Sequence, residues 1–294
     1  MIERIVGIIL PVFGMVVLGY LYGRKKRPSM ATVNHLSINV MAPALVFSAL
    51  AAKDFNLAES GGLILASIGV VLGSGLLAWP FVRALDVQWR TFLPPMMFNN
   101  CGNMGLPLAV LAFGEPGFVA MVAMFTISNL LHFTLGAWMI DHHARFGGLL
   151  RNPMVWSTIA GFAFAIVHPP LPDVVAVTIK LVGDALIPMM LLSLGVRLTA
   201  IRWADAKIGV IGGIVCPTTG LLAAAALAPL LSLDPTRTGL LLLFGCLPPA
   251  VLNFMVAEHY RQEPGKVASI VLIGNLMAVV FVPAGLAIAL GRLT

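Results

Sequence analysis

The chain has 294 residues, of which 59% are hydrophobic and 10% charged, with a net charge of +6 and a mean hydropathy of +0.97. A soluble domain carries roughly a quarter charged residues, so this composition excludes one and fits a chain dissolved in a bilayer. The cations cluster in short connections, which reads as a membrane-topology signal rather than a nucleic-acid-binding surface, so no nucleic-acid partner is expected.

At about 20 residues per spanning helix the sequence predicts ten spans, over 3–22, 31–51, 61–85, 91–113, 117–141, 153–170, 173–198, 206–231, 237–258 and 265–291. The expected fold class is an all-α polytopic membrane protein. Met1-Ile2-Glu3-Arg4 has no net positive charge and no small-residue cleavage site follows, so the first helix is expected to be retained. No connection is long enough to bury a core of its own; the longest polar one runs from His142 to Asn152. On one side of the spans lie Arg24, Lys25, Lys26, Arg27, Arg83, Arg90, Arg145, Arg151, Arg197, Arg202, Lys207, Arg261 and Lys266. The other side has Arg4, Lys53, Arg237 and Arg292. The positive-inside rule therefore places the Arg24–Arg27 loop in the cytoplasm and both termini outside.

The two halves of the chain resemble each other. Asn39-x-x-x-Pro43 with Ser48 in span 2 aligns with Asp184-x-x-x-Pro188 and Ser193 in span 7. Glu115-Pro116-Gly117 aligns with Glu263-Pro264-Gly265, and Asn129-Leu130 with Asn275-Leu276. The common order and nearly constant offset indicate a duplication. Five spans per copy is odd, so the copies, 1–141 and 153–294 joined by a linker over 142–152, are expected in opposite orientations.

Span 4 is interrupted by Asn99-Asn100-Cys101-Gly102-Asn103-Met104-Gly105-Leu106-Pro107, and span 9 by Leu247-Pro248-Pro249-Ala250-Val251-Leu252-Asn253. Paired breaks in corresponding segments of two halves mark the binding site of an inverted-repeat transporter. Pro107 lacks an N–H for the carbonyl of Asn103, and Pro248 and Pro249 lack one for those of Phe244 and Gly245. Such orphans are tolerated in a membrane only inside protein or beside water. Pro107 and Pro249 are expected to open the second half-helices, whose free amides and positive dipole ends favour an anion, most simply a carboxylate. Asn99, Asn100, Asn103 and Asn253 add amides that can donate, accept, or coordinate a cation. Polar amides also stitch membrane helices together, and a lone one would be read that way.

Cys101, Cys216 and Cys246 show no CxxC or Cys/His spacing, so no disulfide or metal site is expected. Lys180 and Asp184 lie four apart in span 7 and can neutralise each other, as a static tether or as part of proton coupling. His132 reads as a packing residue. An intramembrane enzyme using Asp184, His132 or Cys101 is one rival reading, although no spacing enforces a nucleophile beside a base; an anion channel is another. No G-x-x-x-x-G-K-[ST] motif offers direct ATP drive.

The run at 99–107, the Leu-Pro-Pro-Ala-x-x-Asn-Phe-x-x-Ala-Glu-x-Tyr run at 247–260 and the Asn39/Pro43 segment resemble the auxin efflux carrier family, which includes plant PIN carriers and bacterial permeases described as malate or malonate carriers. The resemblance covers essentially the whole chain. It implies two inverted five-helix repeats whose helices 4 and 9 are unwound and cross at the site. It also implies a scaffold of spans 1, 2, 6 and 7, a mobile domain of spans 3–5 and 8–10, elevator-like movement, and a homodimer in the cytoplasmic membrane. The short 142–152 linker departs from the long loop of many plant carriers, so regulation through such a loop is not expected. The functional expectation is a secondary active carrier of a small mono- or dicarboxylate, auxin-like acids included. Asn99, Asn100, Asn103, Pro107, Pro248, Pro249 and Asn253 would form the site, and Asn129, Asn275, Lys180 and Asp184 would support it. No cofactor is expected; H+ or Na+ is the expected kind of coupling ion.

Overall fold

The computed structural model describes residues 2–51, 57–142, 153–167, 169, 171–200 and 205–291, with side chains of the second segment from residue 61 onward. The linker beyond His142 and the cations Lys53, Arg145, Arg151, Arg202 and Arg292 lie outside the described residues.

Helices make up most of the described residues, with no strand among them. In chain order they are α1 (Ile2–Lys26), α2 (Ala31–Leu36), α3 (Ala42–Leu50), α4 (Leu57–Ala84), α5 (Trp89–Met97), α6 (Leu106–Leu131), α7 (Ala137–Ile140), α8 (Pro153–Val167), α9 (Asp173–Asp184), α10 (Leu186–Leu198), α11 (Ala206–Leu230), α12 (Pro235–Gly245), α13 (Val251–His259) and α14 (Pro264–Leu290). Three π-helical turns, Ser37–Met41, Cys101–Gly105 and His132–Gly136, join α2 to α3, precede α6 and join α6 to α7. Among the described residues seven helices are long and apolar enough to cross a membrane.

Where helices and predicted spans differ, local chemistry gives the reason. Predicted span 4 is split by extended backbone at Phe98, and its second half runs with span 5 as one helix, Cys101–Ile140. The chain turns inside that helix at Gly114, whose φ of +71° only glycine adopts without strain, just ahead of Glu115-Pro116. Predicted span 9 is two short pieces, α12 and α13, separated by Cys246–Ala250. Predicted span 6 is the 15-residue α8. In predicted span 7, Pro188 offers no N–H to the carbonyl of Asp184, and α9 gives way to α10 at that point. Pro43 stands in the same relation to Asn39, and a π turn absorbs the missing bond.

The helices pack as two groups, each drawing on both halves of the chain. In the first, α1 lies along α10, and α3 is held by α8 and α9. In the second, α11 is central, against α14, α4 and α12, while α5 and α6 pack on α4. The seam between the groups is thinner. It is made by α10 on the Cys101–Gly105 turn, α3 on α6, and α1 on α6 and α14. Buried apolar side chains such as Phe92, Met96, Met104, Met121, Leu243 and Phe244 fill the second group around the two helix breaks.

Candidate anion site at the crossing of two broken helices

The two breaks meet. Asn99 and Pro249 form an isolated antiparallel bridge, in which the Asn100 amide donates to the Pro248 carbonyl at 2.7 Å and the Ala250 amide to the Phe98 carbonyl at 2.9 Å. Side chains complete the crossing. Asn99 Nδ2 donates to the Phe244 carbonyl at 2.5 Å, which is the acceptor that Pro248 leaves without a helical donor. Asn253 Nδ2 donates to the Phe98 carbonyl at 2.9 Å and to Ala250 O at 3.0 Å. Asn100 Nδ2 reaches Asn275 Oδ1 at 2.7 Å, and Asn275 Nδ2 donates to the carbonyls of Pro249, 2.8 Å, and Val271, 2.7 Å. The carbonyl freed by Pro249, Gly245 O, abuts Gly220, where an added Cβ would stand 2.1 Å from it. An unsatisfied polar group buried in hydrocarbon costs several kcal/mol, so these bonds are what lets the backbone open inside the protein.

Pro107 stands in the first turn of α6, where its missing N–H is tolerated. The Cys101–Gly105 π turn precedes it, and the Met104 and Gly105 amides of that turn return to Asn100 O. Pro249 precedes the Ala250 cap of α13 by one residue. Pro107, Pro248 and Pro249 shape the backbone and do not line the cavity described next.

A cavity of about 110 Å³ lies at the crossing. The second group contributes Asn99, Asn100, Cys101, Gly102, Asn103, Ser128, Asn129, His132, Ala250, Val251 and Leu252; the first contributes Asn34, Ser37, Met190, Ser193 and Arg197. The amides of Cys101, Gly102 and Asn103 have no backbone carbonyl partner, and neither do those of Val251 and Leu252. Two helix N-termini thus present free donors and positive dipole ends to one small space, which suits an anion. The Asn103 side chain is buried, lines the cavity and takes no part in the hydrogen bonds that tie the two breaks together, so its amide is placed to meet a ligand. Asn99 Oδ1, Asn253 Oδ1 and His132 Nε2 are buried with no partner among the described residues. The amide oxygens accept a donor, whether water, a ligand hydroxyl or a cation. His132 stacks on Phe98, with ring centroids 4.2 Å apart and planes within 8°.

The other predicted residues fall in different places. Asn129 lines the cavity and donates to Phe125 O at 3.1 Å. Asn275 ties the breaks together and lines a neighbouring cavity of about 850 Å³. Lys180 and Asp184 pair at 3.2 Å with side chains 57% and 48% exposed, away from the cavity. Of the three groups an enzyme was expected to use, His132 and Cys101 line the cavity and Asp184 does not. All three cysteines are buried and free.

Sequence reasoning missed Arg197, counted only as a topology cation, and its partner Asn34. Arg197 Nη2 donates to Asn34 Oδ1 at 2.7 Å, and Arg197 lines the crossing cavity, the 850 Å³ cavity and a third of about 370 Å³. The available signal was that the predicted span 173–198 contained it, one helical turn after Ser193.

Two stretches of the chain, residues 4–147 and 146–284, match the family model described as "Membrane transport protein". A protein of Rhizobium meliloti named "Putative malonate transporter" is 28% identical over 94% of this chain and 93% of its own length. An "Uncharacterized transporter" of Methanothermobacter thermautotrophicus is 25% identical over 94% of this chain and 95% of its own. "Auxin efflux carrier component 6" of Arabidopsis thaliana is 25% identical over 44% of this chain and 24% of its own.

Proposed function

The chain belongs to the auxin efflux carrier family of membrane transport proteins, and from that premise we propose that it is a secondary active carrier of a small mono- or dicarboxylate. The observation that carries this reading is the convergence of residues whose backbone amides have no carbonyl partner, from Cys101 to Asn103 and at Val251 and Leu252, on one cavity at the crossing of two broken helices. A carboxylate there takes several charge-assisted hydrogen bonds without any protein carboxylate to compete among the lining residues. The size supports a short acid: 110 Å³ is well under the roughly 300–1,000 Å³ of sites for drug-sized ligands.

The proposal extends to architecture. Ten crossings arise when the kink at Gly114 separates spans 4 and 5, α12 with α13 makes span 9, and α8 makes span 6. Two inverted five-span repeats are supported by matched packing: α1 on α10 corresponds to α8 on α3, and α5 on α4 to α12 on α11. In the proposed elevator the first group is the scaffold and the second, with the crossing, moves past it along the thin seam. Both termini face outward, the protein sits in the cytoplasmic membrane as a homodimer, and H+ or Na+ drives uptake or release. The Oδ1 atoms of Asn99 and Asn253 are the acceptors with capacity left for such an ion.

A thermal-shift panel of carboxylates on the purified protein, with and without sodium and at two pH values, tests the reading. A ligand that binds the folded state raises the apparent Tm with concentration. At least one short carboxylate is expected to do so, and no shift across the panel would contradict the proposal.

A further inference from the structure

Arg197 is not accounted for by the crossing. It belongs to α10, in the first group of helices, yet it lines the same 110 Å³ cavity as the free amides of the second. Its guanidinium is half-buried and has five donors; one is taken by Asn34 Oδ1, and it has no ion-pair partner among the described residues. Partial burial weakens the hydration of this group, and on the cavity wall only Asn34 answers it with a hydrogen bond, with no anionic side chain among the lining residues. The charge of Glu258 acts on Arg197, but Glu258 lines the adjoining 370 Å³ cavity and not this one. The cavity therefore has two positive poles on opposite helix groups, amide N-termini at one and a planar guanidinium at the other, within a space that holds only a few carbons.

We infer that Arg197 pairs with the second carboxylate of a short dicarboxylate whose first carboxylate sits on the free amides at the helix breaks, so that Arg197 sets the preference of the site for dianions over monoanions. The inference rests on the carboxylate-carrier reading above. A guanidinium binds a carboxylate through two parallel hydrogen bonds, which a monoanion lying on the amides leaves unused.

The test uses the full chain in detergent, with malonate and its monomethyl ester as probes that share a backbone and differ by one charge. Titration calorimetry is expected to show malonate binding tighter than the ester by roughly ten- to a hundredfold, the worth of one charge-assisted contact. In Arg197→Gln that preference is expected to fall to about twofold or less, with ester affinity little changed. Equal weakening of both probes would make Arg197 a packing residue and overturn the inference, as would a variant that keeps the preference. A second readout needs no variant: malonate is expected to protect Arg197 of the wild type from phenylglyoxal while the ester does not, and equal protection by both overturns the inference. If malonate, its ester and the wider carboxylate panel all fail to bind the wild type, the carrier reading itself falls and the inference with it.

Discussion

Asn99, Asn253 and Asn103 sit within one break crossing and do different work. The first two spend their Nδ2 groups on the Phe244 and Phe98 carbonyls, so they hold the opened backbone together. Asn103 makes no such bond and faces the cavity. Replacing Asn99 by Ala is therefore expected to lower stability by about 1–3 kcal/mol, the cost of an orphaned buried acceptor. Asn103→Ala is expected to leave the ligand-free protein within about 0.5 kcal/mol while weakening carboxylate binding. Thermal unfolding of both variants with and without ligand separates the two roles, and an equal loss of ligand-free stability in both would contradict them. The freed carbonyl of Phe244 was legible in the sequence because a missing proline N–H is a local fact. Its partner Asn99 lies 145 positions away, and nothing in hydropathy specifies such a contact. Arg197 was hidden for a related reason: a cation near a helix end looks the same from the sequence whether it faces headgroups or a cavity.

At the scale of the elements, the start of α5 is latched to the start of α14. Thr91 Oγ1 donates to Glu263 Oε2 at 2.6 Å, Lys266 pairs with Glu263, and Gln262 Nε2 donates to Gln88 Oε1 at 2.6 Å and Thr91 Oγ1 at 2.9 Å. Burial pushes the Glu263 carboxyl up, but the hydrogen bonds from Lys266 and Thr91 and the Lys266 charge outweigh it and hold the group below the usual carboxylate range. A depressed folded-state pKa contributes stability above the unfolded-state value, and that contribution is lost as pH falls through the folded-state value. The Tm advantage of the wild type over Glu263→Gln is thus expected at neutral pH and to shrink as pH falls below the usual carboxylate range; an advantage that grows on acidification would contradict the latch. Long apolar elements such as α1, α4, α11 and α14 were legible because hydropathy and length suffice for them. The three π turns were not, since the apolar pattern cannot distinguish a ring closed at i+5 from one closed at i+4.

For the whole molecule, the separation into two packing groups is the physical basis of the proposed movement. Gly73 and Ala223 face each other inside the second group, with a β-carbon at Gly73 only 3.2 Å from that of Ala223, close to disulfide geometry. A Gly73→Cys, Ala223→Cys disulfide is expected to leave flux intact. Arg4, which donates to the Ala112 carbonyl at 3.0 Å across the seam, offers the opposite case: Arg4→Cys with Ala112→Cys joined by a bismaleimide is expected to stop flux. The reverse pattern in vesicle assays would contradict movement along the seam. The central claim is that the crossing of the two broken helices is a carrier site. Its most direct test is counterflow in proteoliposomes loaded with unlabelled carboxylate and given a labelled trace outside. Transient, saturable accumulation of label by the wild type, reduced in Asn103→Ala, is the expected result; linear uptake without overshoot, or overshoot untouched by Asn103→Ala, would contradict it.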